Sequence, residues 1–123
     1  MHRDSNRPRR VGEVLKRELA LIIRQELNHP RRTDVTLTAI DVSPDLRSAK
    51  LFFTCLKGEQ EAKEMSQVLN QASGFFRHCL RGRVELRGIP SLRFVYDESI
   101  ERGRKISALI DKVRTDSPSN DTN

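Results

Sequence analysis

The sequence predicts a two-layer α+β sandwich, a three-stranded sheet with helices on one face, from three observations. Apolar residues recur at helical spacing from Val11 to Leu27. A run rich in β-branched residues, 35–42, and a run with apolar residues at every second position, 48–56, flank the turn-forming Ser43-Pro44-Asp45. A third run, 91–96, alternates Leu92, Phe94 and Tyr96 with Arg93 and Val95.

The elements follow in the order α-β-β-α-α-β-α. Residues 1–9 read as a flexible basic arm, with Pro8 discouraging helix before it. The first helix buries Val11, Val14, Leu15, Leu19, Ile22, Ile23 and Leu27, and Asn28-His29-Pro30 ends it. Arg10, Arg17 and Arg24, seven residues apart, lie on a line roughly opposite that face. The short turn between the first two strands makes them an antiparallel hairpin, with Ala49, Leu51, Phe53 and Cys55 on one side and Lys57-Gly58-Glu59 closing it.

A second helical stripe begins near Gln60 with Ala62, Met65, Val68, Leu69 and Ala72, and continues as Phe75, Phe76, Cys79 and Leu80. Its phase holds across Gly74, so periodicity alone does not demand a break. A glycine costs a straight helix about 1 kcal/mol relative to alanine, which predicts a bend or a close backbone approach at Ala72, Ser73 and Gly74. Phe75 and Phe76 read as core and not as a base-stacking platform, and Tyr96 reads the same way. Gly82 ends the helix. Pro90 can precede the third strand but not sit within a central one. Asp97 or Ser99 caps a last helix with Ile100, Ile106, Leu109, Ile110 and Val113 as its apolar side. The domain thus spans 10–113, and the polar residues 114–123 read as a disordered tail.

At 123 residues, 36% apolar and 33% charged, the chain has room for one modest core beneath a large solvated surface. Its net charge of +6 is unevenly placed. Residues 1–32 carry nine Lys/Arg against four Asp/Glu and residues 75–105 carry eight against four, whereas 33–74 carry four against six. Two basic stretches favour a polyanion partner, a solvated charged face being the plainer alternative. No stretch is long and apolar enough to span a bilayer. The arginine-rich start also lacks a signal-peptide apolar core, which predicts a cytoplasmic location. Cys55 and Cys79 are expected to stay reduced as small hydrophobes. No exposed apolar seam is evident, so a monomer is expected.

Enzyme chemistry finds no constellation. His2, His29 and His78 have no nucleophile and orienting acid at a workable spacing. Zinc-type C-x-x-C spacing is absent, and glycines at 12, 58, 74, 82, 88 and 103 form neither G-x-G-x-x-G nor a phosphate-binding loop. No cofactor or metal is expected. Asp97, Glu98 and Glu101 suit the start of a helix. What remains is RNA contact. Arg77, Arg81, Arg83 and Arg87 put charge beside the Ala72-Ser73-Gly74 bend, and Arg3, Arg7, Arg9, Arg10 and Arg17 form a second contact area. The reading requires the two groups to converge on one side of the molecule.

Over residues 7–113 the chain resembles the ribosome-binding factor A family. The resemblance is carried by Arg7-Pro-Arg-Arg-Val11, Val35-Thr-Leu-Thr, Val42-Ser-Pro-Asp-Leu46, Ala49-Lys-Leu-Phe52, Ala72-Ser-Gly74, Ile89-Pro-Ser-Leu-Arg-Phe94 and Tyr96-Asp97. It implies a KH-like (type II) α+β domain with a C-terminal helix, in which an Ala-x-Gly kink replaces the G-x-x-G clamp. It also implies a non-catalytic ribosome biogenesis factor that binds the 30S subunit and its 16S rRNA during late maturation. Processing of the rRNA ends and a link to cold adaptation belong to the same implication. Release from the subunit would call on a further partner, an assembly GTPase or another release factor. Ser91 departs from the family's Pro-Glu-Leu pattern, where a glutamate is expected. Two rivals stand beside this reading. One is a KH-type single-strand RNA module acting on mRNA, against which the missing G-x-x-G counts. The other is a protein-interaction module whose basic faces meet acidic partners.

Overall fold

A computed structural model describes residues 6–116. The chain runs α1 (Arg7–Glu26), a 3-10 turn (Arg32–Asp34), β1 (Val35–Val42), β2 (Ser48–Cys55), α2 (Glu59–Gln71), α3 (Ser73–Arg81), β3 (Ser91–Tyr96) and α4 (Ser99–Asp116). The predicted element order holds, and β1 and β3 have the predicted bounds. The sheet order is β1-β2-β3, with β1 and β2 antiparallel and β3 parallel to β2 through the α2–α3 crossover.

Strand alternation sends Leu51 and Phe53 of β2 and Phe94 of β3 into one core, where Leu15, Leu19, Ile22, Met65, Leu69, Phe76 and Leu80 meet them from the helices. Gly12 lets α1 lie close on β1. A Cβ there would stand 3.0 Å from Ile40 Cγ2 and 3.2 Å from Val42 Cγ2. Thr38 is the extra residue of a bulge, since Leu37 pairs with Phe53 and Ala39 already with Phe52. Its hydroxyl donates to Asp97 Oδ2 at 2.6 Å, and Asp97 Oδ1 accepts the Ser99 N–H at 2.9 Å. Asp97 therefore serves the start of α4, as the sequence suggests. Hydrogen bonds from Ser99 and Thr38 hold its carboxyl below the ordinary 3.8.

Several expectations are corrected. α1 begins at Arg7, so Arg7, Pro8 and Arg9 form its first turn instead of an arm. Proline is at home there because the first helical N–H has no partner to lose. Residues 114–116 continue α4 rather than opening the tail. Residues 1–5, with Arg3, and 117–123 lie outside the described residues. α4 does not bury its apolar side: Ile106, Leu109, Ile110 and Val113 are 51–67% exposed. The premise of the monomer expectation fails with it, because α4 carries an exposed apolar seam. Gly82 does terminate α3, but at φ −90° and not in a left-handed turn. Cys55 is buried, which pushes its thiol up to about 11, with Glu61 and Asp34 adding to the effect.

Candidate nucleic-acid interface

The bend is real, and it falls at Ala72 (φ −89°, ψ 4°) rather than at the glycine. Asn70 fixes it there. Its side-chain amide donates to Phe94 O at 2.9 Å and accepts the Phe94 N–H at 2.8 Å, tying the last turn of α2 to β3. Ser73 Oγ then donates to Asn70 O at 2.6 Å, and α3 restarts as the Phe76 N–H finds Ala72 O at 2.9 Å. Gly74, in the first turn of α3, is exposed, and a Cβ there would meet nothing within 4 Å. Among the described residues none makes the expected close approach, which leaves the space above Gly74 open to a partner. Phe76 and Leu80 continue the buried stripe of Met65 and Leu69 across the break, and Phe75 falls to the side of it. Phe76 is fully buried, but Phe75 is 44% exposed, against the expectation that both are core.

Three predicted arginines from the two basic stretches do meet. Arg7 at the start of α1, Arg77 on α3 and Arg87 in the segment after α3 line one cleft of about 720 Å³. Arg47, from the β1–β2 turn, completes it. Arg77 Nη2 donates to Ile89 O at 3.0 Å, so this side chain also shapes the cleft wall, while its Nε is buried without a hydrogen-bond partner. Arg7 and Arg87 are exposed and make no ion pair among the described residues. Asp45 is the single carboxylate in the lining among the described residues. The Ser43 hydroxyl at 2.6 Å and the Arg47 N–H at 3.0 Å, with the Arg47 charge beside them, hold its carboxyl below the ordinary range. Four guanidinium groups against one already-satisfied carboxylate make a cleft suited to phosphate oxygens.

Other predicted arginines lie elsewhere. Arg83 is used within the fold: Nη1 donates to Glu18 Oε1 at 3.3 Å and Nη2 to Gln25 Oε1 at 3.0 Å, strapping the segment after α3 to α1. Arg9 lines a different groove with Glu13, Lys16 and the β1 bulge. Arg10, Arg17 and Arg81 are exposed outside the cleft. Arg31, also in the first basic stretch, sits 2.9 Å from Glu61, a carboxylate only 3% exposed, and 3.1 Å from Glu64. Sequence reasoning missed Arg47 because it lies in the net-acidic stretch. The pointer was the Ser43-Pro44-Asp45 turn, which delivers the next residues to one end of the sheet. Among the described residues no group of His, Cys, Asp and Glu could hold a metal, and no helix is long and apolar enough to cross a membrane.

Comparison with known proteins points one way. A family model described as ribosome-binding factor A matches residues 7–110. The ribosome-binding factor A of Nitrosococcus oceani is 55% identical over 113 residues, covering 92% of this chain and 89% of that one. The Nitrosomonas europaea protein of the same name is 46% identical, covering 92% and 97%. The crystal structure of ribosome-binding factor A from Thermus thermophilus superposes with a TM-score of 0.63 at 28% identity, covering 72% of this chain and 93% of that one. A Thermus thermophilus homology model fitted into a cryo-electron-microscopy map of a 30S complex gives 0.57 at 29% identity, covering 69% and 89%. The shared fold is KH-like, with the interrupted helix pair leading into β3.

Proposed function

The chain belongs to the ribosome-binding factor A family, and from that premise we propose that it is a non-catalytic assembly factor that binds the 30S subunit through its 16S rRNA in the cytoplasm. The observation that carries this reading is the cleft, which Arg7, Arg47, Arg77 and Arg87 line with Asp45 as the one carboxylate among the described residues. Guanidinium groups held in that arrangement neutralise backbone phosphates, giving an affinity that falls with salt and is indifferent to sequence. Selectivity comes from the shape of the folded rRNA, which a rigid cleft beside an open helix break reads without forming a bond. Binding favours one conformation of the maturing subunit, in the late stage at which the rRNA ends are processed. A separate factor, an assembly GTPase or another release factor, then displaces the protein. The 30S-bound relative supports the choice of subunit.

The test uses Gly74→Val. A side chain there meets open space, so the domain stays folded, but the added bulk occupies the room beside the bend. On a sucrose gradient of cell lysate the parent protein sediments with free small subunits, and the variant shifts toward the top. RNA crosslinking in cells identifies the target, with crosslinks to 16S rRNA expected. Crosslinks concentrated in mRNA, or a variant that sediments like the parent, refute the corresponding part of the reading.

A further inference from the structure

We propose that the open face of the sheet is a second RNA-contact surface, on which Phe52 stacks an unpaired base while Lys50 and Arg93 hold the flanking phosphates. It rests on the reading above only for the class of polymer. α1, α2 and α3 cover one face of the sheet. Alternation sends Lys50, Phe52 and Thr54 of β2, Ala39 and Asp41 of β1, and Arg93 and Val95 of β3 to the other.

An uncovered sheet face is ordinarily polar. Phe52 departs furthest from that, as the one aromatic among the residues named on this face, on the central strand and unused by the core. Its partners in register are Ala39 and Val95, both shorter side chains, so the half-buried ring stands above its neighbours. Lys50 Nζ lies 5.9 Å from the ring centre. Lys50 is directly opposite Arg93 on the adjacent strand, a like-charged pairing that costs stability unless an anion relieves it. Asp41, opposite Lys50 on the other side, supplies one negative charge. Arg93 has no ion pair or side-chain hydrogen bond among the described residues.

An aromatic ring on a sheet with cations beside it matches one polymer well. A single strand of RNA offers a flat π face every nucleotide and a phosphate between, and sheet-borne aromatics bind it by stacking. The face is also continuous with the arginine cleft. The β1–β2 turn contributes Asp45, Leu46 and Arg47 to the cleft, and Ser43 and Pro44 to a groove of about 410 Å³ that Ser48 and Lys50 of β2 and Ser91 and Arg93 of β3 also line. A strand leaving the cleft at Arg47 reaches Lys50 three residues on, near the start of β2.

The experiment measures binding of the full chain to a labelled, unstructured RNA hexamer and to an abasic hexamer with the same phosphates. The parent is expected to prefer the base-bearing strand by roughly 5- to 150-fold, the range of one stacked base. Phe52→Tyr keeps that preference. Phe52→Thr, which suits a strand, and Phe52→Leu, which keeps apolar bulk without a π face, both abolish it. Lys50→Ser/Arg93→Ser weakens both oligonucleotides and lowers the salt slope by about 1.4. Thermal melts establish that each variant is folded. A parent that binds both hexamers equally, or Phe52 variants that lose both equally, overturns the stacking face while leaving the cleft intact. A parent that binds neither hexamer overturns the stacking face too, and 30S sedimentation then tells whether the cleft reading survives.

Discussion

Replacing Arg47 and Arg87 together by alanine isolates the electrostatic work of the cleft. Neither Arg87 nor Arg47 makes an ion pair among the described residues. Neither substitution disturbs the core, since both residues are exposed. Each lost phosphate contact lowers the slope of log affinity against log salt by about 0.7 for a single strand, so the pair lowers it by about 1.4. Between about 50 and 200 mM salt the ratio of parent to variant affinity should therefore narrow about 7-fold. The assay is 30S binding across a salt series, with Arg83→Ala as the control. Arg83 spends its guanidinium on Glu18 and Gln25, so its loss should lower the melting temperature and leave the slope unchanged. A double variant with the parent's slope, or an Arg83 variant with a shallower one, would refute the division between binding and structural arginines.

Three further outcomes are expected. Gly58→Ala forces a side chain onto φ +66°, ψ −141°, with the new Cβ 3.0 Å from Glu101 Oε1, and thermal unfolding should show a loss of about 1–3 kcal/mol, mostly backbone strain. Phe76→Ala should cost about 3–5 kcal/mol in urea unfolding, and Phe75→Ala less than about 1, because only the first ring is enclosed. Equal losses would contradict the exposure of the Phe75 ring. Asp97 has a folded pKa below its ordinary 3.8, so it stabilises the fold fully above that value and loses the contribution as pH falls through the lower folded value. Asp97→Asn should thus be less stable than the parent near neutrality, with the gap closing in acid. A gap that persists at the acid limit would remove the carboxylate charge from the explanation.

The strands were legible in the sequence because a period of two and a turn are local signals. Val35–Val42 is rich in β-branched residues and half alternates, Ser91–Tyr96 alternates in place, and Ser43-Pro44-Asp45 leaves the first two strands no arrangement but a hairpin. The buried face of α1 was legible for the same reason. The position of the helix break was not, since the apolar stripe stays in phase through it. What places it at Ala72 is the Asn70–Phe94 pairing, a contact across 24 residues. The α4 stripe shows the opposite limit, because amphipathic spacing says where apolar side chains point and nothing about whether anything covers them. Arginine fates were the least legible. Arg83 and Arg87 lie four residues apart, yet one faces Glu18 and the other a cleft, and only the tertiary neighbours decide it.

Both outer strands have their backbone hydrogen-bonding groups partly engaged by side chains borrowed from helices. Asn70 completes the outward N–H and C=O of Phe94 on β3, and Lys16 Nζ reaches Thr38 O on β1 at 3.4 Å. A foreign strand that tried to zip onto either border would first have to evict a side chain already seated there. A short sheet can thus leave one broad face bare to solvent without inviting its copies to polymerise end over end.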